Sequence, residues 1–176
     1  MDDGTVLFSG RLFQVVCRRS IDARGVAHDH QIVEHPGAVT ILPILDDGRI
    51  CLIRNFRIAV GTTLWELPAG TLEPGEEPLA TARRELTEET GYSAENLRHL
   101  HSFWMSPGIL RERMHLFVAT GLQAGEPRLA AGEQIAPVLL SWDEAMDLVR
   151  KGEIQDAKTL VGLLYYNWRS QTDAAN

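Results

Sequence analysis

Residues Gly70–Tyr92 read GTLEPGEEPLATARRELTEETGY. The second half of this stretch has the marks of a helix with defined ends. Pro78 suits the first turn, where a missing N–H loses no partner. Gly91 suits the stop, because the residue after a helix often takes a left-handed conformation that glycine adopts without strain. The spacing therefore predicts a helix over 78–90. Leu79, Ala82 and Leu86 lie along one side and form the expected packing face. Glu85, Glu88 and Glu89, at i, i+3 and i+4, share another side. Gly70 and Gly75 let the lead-in fold tightly.

Working outward, Ala38–Leu45 and Arg49–Phe56 are rich in β-branched and aliphatic residues, and Asp46-Asp47-Gly48 between them is a hairpin signal. Val6–Val16 and Gln31–Glu34 mix apolar and polar residues as half-exposed strands do. Trp65–Leu67, Leu97–Met105, Met114–Ala119 and Pro137–Leu140 read as further strands. Ser141-Trp142-Asp143-Glu144 has capping-box spacing and opens a second helix ending near Gly152. A third runs from Asp156 to about Trp168, and Ser170–Asn176 is expected to fray. Strands and helices without strict alternation imply a mixed sheet flanked by helices, an α/β (α+β) fold in one domain spanning 1–176.

The chain has 176 residues, 44% hydrophobic and 23% charged, with a net charge of −7. That balance speaks against a nucleic-acid surface, which needs a basic patch. The apolar runs are too short to span a bilayer. The N-terminus MDDGTVLFSG lacks a basic leader region, so a cytoplasmic location is expected. Cys17 and Cys51 stand far apart and read as reduced, structural thiols. Three carboxylates crowded on one helix face repel one another unless a cation sits among them. Hard oxygen ligands suit Mg²⁺, and Mn²⁺ can substitute. A bound cation would also reconcile an acidic protein with an anionic substrate.

An acidic helix face taken alone is by default simply solvated. The lead-in tips the balance. Gly70, Glu76, Arg84, Glu85, Leu86, Glu88, Glu89, Gly91 and Tyr92 match G-x5-E-x7-R-E-U-x-E-E-x-G-U, where U is a bulky apolar residue; Tyr92 is a mild departure. With each fixed residue at roughly 5–7%, a chance match is on the order of one per billion starting points. The stretch resembles the Nudix box, and the chain resembles the Nudix hydrolase family. The resemblance implies an α/β/α sandwich with a mixed central sheet and an N-terminal antiparallel strand region. It also implies that Glu85 and Glu89 are the principal metal ligands, that Glu88 assists or orients water, and that the Ala69 carbonyl is an extra ligand. Arg84 can ion-pair with a neighbouring carboxylate and hold it in ligand geometry.

Outside the box, Ser106-Pro107-Gly108 with Glu112 resembles the S-P-G-x-x-x-E marker of ADP-ribose pyrophosphatases. Arg54-Asn55-Phe56-Arg57, Trp65-Glu66-Leu67-Pro68-Ala69-Gly70, His35-Pro36-Gly37-Ala38-Val39 and Asp156–Leu160 resemble further segments of that subfamily, so the likeness covers Glu34 to Leu164. It implies hydrolysis of a nucleoside diphosphate sugar, ADP-ribose to AMP and ribose 5-phosphate. Arg57 would clamp phosphate, because its planar fork matches the oxygens. Arg54, Glu73, Ser106 and Gly108 complete the expected substrate contacts. Glu112 is the first candidate for general base, with Glu88 and Glu133 as alternatives. Trp65, His35, Met105 and Met114 read as structural.

Two departures leave alternatives open. The loop Leu129–Ile135 keeps only Glu133 where the subfamily carries an acidic segment, and His28-Asp29-His30-Gln31 stands where an N-terminal arginine is common. Another nucleotide sugar, ADP-glucose or GDP-mannose, and a non-catalytic ADP-ribose binder are the alternatives. A homodimer is implied by resemblance, with 1–35 as the dimerisation region and 36–170 as the catalytic core.

Overall fold

The computed structural model describes residues 4–129, 132 and 134–174, with side chains as far as Thr172. The chain runs β1 (Thr5–Ser9), β2 (Gln14–Ile21), β3 (Ala27–Glu34), β4 (Ala38–Pro43), β5 (Ile50–Arg57), β6 (Thr62–Glu66), β7 (Ala69–Thr71), α1 (Pro78–Thr90), β8 (Ser93–Ser106), β9 (Leu110–Gln123), β10 (Ile135–Leu140), α2 (Trp142–Arg150) and α3 (Ala157–Ala174). One sheet has the order β1-β2-β3-β9-β4-β7, with β8 paired on β9. It is mixed, because β9 runs parallel to both β3 and β4 and antiparallel to β8. The second sheet, β10-β5-β6, is antiparallel.

Alternation along β4 and β9 builds the layers. Val39 and Ile41 of β4 meet Phe117 and Ala119 of β9 in a core closed by Ala82 and Leu86 of α1. Leu42, Leu116 and Val118 point the other way, into a core shared with Leu52 and Leu67, Ala145 of α2 and Leu163 of α3. Successive strand residues face opposite sides, so one pair of strands feeds both layers. The result is the expected sandwich around a mixed central sheet.

Helix α1 spans the residues that its end signals predict, with Pro78 in the first turn and Gly91 left-handed at φ 77°. The capping box of α2 is present. The Ser141 hydroxyl accepts from the Glu144 N–H, and the Glu144 carboxylate accepts from the Ser141 N–H. Among the described residues no helix is long and apolar enough to cross a membrane. Both cysteines are free, and burial pushes the Cys51 thiol up to about 12.

Several expectations change. The Asp46-Asp47-Gly48 turn forms, with the Gly48 N–H donating to the Leu45 carbonyl and the Leu45 N–H to the Arg49 carbonyl, yet the pairing of the two arms ends at the bridge Ile44↔Ile50. β4 takes its partners from β9 and β7, and β5 takes its own from β6 and β10, so the two arms separate into different sheets. Val6–Val16 breaks into β1 and β2 around a bond from the Gly10 N–H to the Phe13 carbonyl. Leu79 is 43% exposed: it lies in the first turn of α1, short of the core that Ala82 and Leu86 enter. Helix α3 continues past Trp168 to Ala174 instead of fraying from Ser170. The Ser170 and Thr172 hydroxyls donate to the Asn167 and Trp168 carbonyls there. Residues 175 and 176 lie outside the described residues.

Candidate active site

The short strand β7 is the floor of the site. Ala38, Val39 and Thr40 of β4 pair with Thr71, Gly70 and Ala69, and the Ile41 N–H donates to the Pro68 carbonyl at 2.9 Å. Helix α1 crosses this floor. The Ala69 N–H donates to Glu89 Oε2 at 2.8 Å, and Glu89 is only 4% exposed. At Gly70 the lack of a side chain matters for space: a Cβ there would lie 1.9 Å from the Glu85 carboxyl group. A residue with any side chain would push Glu85 off the backbone. Glu85 and Glu89 line a cavity of about 290 Å³, together with Asn55, Arg57, Gln134 and the Ala69–Thr71 backbone.

Arg84 binds the carboxylates of this region together. Its Nη1 donates to Glu85 at 2.6 Å and to Glu88 at 3.0 Å, while Nε and Nη2 hold Glu76 at 3.1 and 3.0 Å. The bond from Arg84 holds the Glu76 carboxyl down to about 2. Glu88 has a half-exposed side chain and does not line the cavity; its carbonyl accepts the Arg128 N–H at 2.8 Å. Among the described residues no three His, Cys, Asp or Glu side chains stand pre-arranged around a metal position. The donor types nonetheless fit a hard divalent cation. Two carboxylates, one nearly buried, face one cavity beside a peptide segment that only glycine lets them approach.

A second cavity of about 320 Å³ shares Arg57 and Ala69–Thr71 with the first and adds His35, Glu112, Asp156 and Lys158. Glu112 Oε1 lies 3.7 Å from His35 Nδ1, the nitrogen that accepts the Gly37 N–H. Arg57 grips Glu66 through Nε at 2.8 Å and Nη2 at 2.6 Å. Lys158 Nζ donates to the same carboxylate at 2.6 Å. Burial works to raise the Glu66 carboxyl, but the Arg57 bonds and the Lys158 charge outweigh it and hold it below its ordinary value. Glu66, Asp156, Lys158 and Thr159 were not marked as site residues from sequence. A carboxylate set between Trp65 and Leu67 at the buried end of β6 is the signal that could have found Glu66.

The structure therefore gathers Glu85, Glu89, Ala69, Arg57 and Glu112 around one floor, and Arg84 and Glu88 beside it. Other expected contacts fall elsewhere. Arg54 lies over the Trp65 ring, 4.4 Å from its centroid, and lines neither cavity. It is three residues from Arg57 on one strand, so the two side chains leave opposite faces. Glu73 is exposed, and its backbone supports the loop through bonds with Glu76. Ser106-Pro107-Gly108 forms the β8–β9 turn, where the Ile109 N–H donates to the Ser106 carbonyl. Pro107 and Gly108 line a separate cavity with Arg18, His30, Trp104 and Arg111. Glu133 lies outside the described residues.

A family model described as the NUDIX domain matches residues 34–162. The chain is 37% identical over 170 residues to the ADP-ribose pyrophosphatase of Bacillus subtilis (strain 168), covering 96% of this chain and 92% of that one. It is 31% identical over 150 residues to the GDP-mannose pyrophosphatase of Salmonella typhimurium (strain LT2), covering 80% and 78%. Among solved structures, an ADP compounds hydrolase superposes with a TM-score of 0.80 at 26% identity, covering 98% of this chain and 97% of that one.

Proposed function

Because the chain belongs to the Nudix hydrolase family, we propose that it hydrolyses the diphosphate bond of a nucleoside diphosphate sugar, with ADP-ribose as its substrate. The observation that carries this reading is the shared floor. Ala69–Thr71 and Arg57 belong to both cavities, one holding Glu85 and Glu89 and the other Glu112. Relatives named for ADP-ribose and for GDP-mannose support the nucleotide-sugar class, and the likeness to an ADP compounds hydrolase supports the adenine nucleotide.

Nudix enzymes use divalent cations, and Mg²⁺ is the ion proposed here, with Mn²⁺ able to substitute. Glu85, Glu89 and the Ala69 carbonyl would hold it, with Glu88 assisting. Bound there, the cation supplies charge compensation for the diphosphate and a lower pKa for the attacking water. The protein's own groups do the rest. Arg57 orients the diphosphate oxygens. Arg84 keeps Glu85 and Glu88 in place. Glu112 takes the proton as the water oxygen bonds to one phosphorus and the bridging P–O bond breaks, releasing AMP and ribose 5-phosphate. Glu88 is the alternative base.

The chain would act as one domain, with 36–170 as the catalytic core and 1–35 as a dimerisation region. Exposed Val6, Leu7, Phe8 and Ile21 on the first two strands support a homodimer. We place the enzyme in the cytoplasm; the net charge of −7 supports the absence of a nucleic-acid partner, and the lack of a long apolar helix among the described residues supports the absence of a membrane-spanning one. The test is incubation with ADP-ribose, ADP-glucose and GDP-mannose plus Mg²⁺, scored for released monophosphate. The highest kcat/KM is expected for ADP-ribose. A preference for GDP-mannose would move the assignment to that sugar, and no product from any substrate would point to a binder.

A further inference from the structure

Lys158 sits where local physics disfavours a lysine. It lies in the first turn of α3, where the helix dipole is positive and a cation is unfavourable. Its side chain is only 8% exposed, so the ammonium loses most of its hydration. What retains it there is the ion pair with Glu66, which is fully buried, and a second with Asp156 at 3.0 Å. Charges of alternating sign thus run through Arg57, Glu66, Lys158 and Asp156. Asp156 is itself fixed by the Thr159 N–H at 3.0 Å and the Thr159 hydroxyl at 2.6 Å. The Thr159 oxygen accepts the Leu67 N–H at 2.7 Å. The end of β6 is therefore tied to α3 twice, by the Glu66 side chain and by the backbone of the next residue. Two residues further on, Ala69 meets Glu89.

We propose that Lys158 is a positioning residue for the diphosphate end of the site: by sharing Glu66 with Arg57 it fixes where the guanidinium points. This rests on the reading of Arg57 as the diphosphate-binding group. Removing one partner from a buried ion cluster leaves a charge uncompensated, and the remaining partners rearrange around it. Without Lys158, the buried Glu66 carboxylate loses the donor that fixes its own orientation, and the guanidinium that it already holds through Nε and Nη2 is no longer set in place against the cavity.

The test is steady-state kinetics with ADP-ribose and Mg²⁺ on the full chain, for Lys158→Met, Lys158→Arg, Arg57→Ala and the double variant Arg57→Ala/Lys158→Met, with thermal unfolding alongside. Lys158→Met is expected to raise KM about tenfold while changing kcat less, the pattern of lost ground-state binding. Lys158→Arg should recover part of that loss. In the Arg57→Ala background Lys158→Met should add little, because coupled residues are not additive. Effects that multiply in the double variant would overturn the proposal in favour of a lysine that meets the substrate directly from the cavity it lines, and a lowered Tm with KM unmoved would overturn it in favour of a purely structural lysine. If Arg57→Ala alone leaves KM unchanged, the diphosphate reading of Arg57 fails first and takes this proposal with it. Should Lys158→Met not fold, Glu66→Gln keeps the shape, removes the shared charge, and must show the same KM rise and the same non-additivity.

Discussion

Arg84 and Arg57 each bind carboxylates beside the same floor, but they find them in different ways. Arg84 takes Glu76, Glu85 and Glu88, none more than eight residues away. Arg57 takes Glu66, nine residues along the chain, and Glu66 takes Lys158, 92 residues further on. The first cluster is a property of one loop and one helix. The second exists only after β5, β6 and α3 have packed together. A motif of the first kind can be read as a string, because helical geometry converts spacing directly into proximity. A motif of the second kind has no spacing to read. In the function proposed above, the local cluster would carry the chemistry and the distributed one the placement.

That contrast orders the expected effects of substitution. Glu85→Gln should be the most damaging to turnover. Losing even the outer partner of a metal ligand typically costs about 10–100-fold, so loss of a principal ligand should exceed about 100-fold in kcat at saturating Mg²⁺, with the fold intact by circular dichroism. Near-normal turnover would dissolve the chemical half of the comparison. Gly70→Ala comes next: its methyl group would lie 1.9 Å from the Glu85 carboxyl group. It should lower kcat more than about tenfold with little change in Tm, because the atoms displaced are the movable end of the Glu85 side chain; activity equal to the parent would show that Glu85 need not approach the backbone.

Thr159→Val acts on the distributed cluster and should show mainly in stability. It leaves the buried Leu67 N–H without its acceptor, at a cost of about 1–3 kcal/mol, read as a lower denaturant midpoint at unchanged slope. The smallest effect concerns pH. The Glu76 carboxyl is held at about 2 against an ordinary 4.5. A depressed carboxyl stabilises the fold fully above its ordinary value and loses that contribution as pH falls through the folded one. The stability difference between the parent and Glu76→Gln should thus be largest near neutrality and vanish between about 4.5 and about 2. A difference that stays constant across that range would remove Arg84 as the cause.

Much of the fold was legible where a residue and its partner are neighbours in sequence. Pro78 and Gly91 marked both ends of α1, and Ser141 with Glu144 marked the start of α2. The Asp46-Asp47-Gly48 turn was legible too, but its consequence was not. Which strands pair after a turn depends on competition from distant edges, and β9 won β4 while β10 and β6 shared β5. The site divides in the same way. Arg54 and Arg57 look equivalent as text, yet strand alternation sends them to opposite faces, and only the sheet tells which face meets the glutamates. Ser106-Pro107-Gly108, close to Glu112 in sequence, closes a turn, and its Pro107 and Gly108 line a different cavity.

By itself, then, the sequence determined the candidate segment: a helix from Pro78 to Thr90, three glutamates on one side, an arginine within reach of Glu85 and Glu88, and a glycine lead-in. Those features follow from 3.6 residues per turn and from what proline and glycine allow. Only the tertiary structure decided that Glu89 is buried against Ala69, that Gly70 is needed for space, and that Lys158 is brought to Glu66 beside the floor of the site. The reason is physical. Burial and long-range ion pairing are properties of packed layers, and they come into being only when residues far apart in the chain exclude water from the same place.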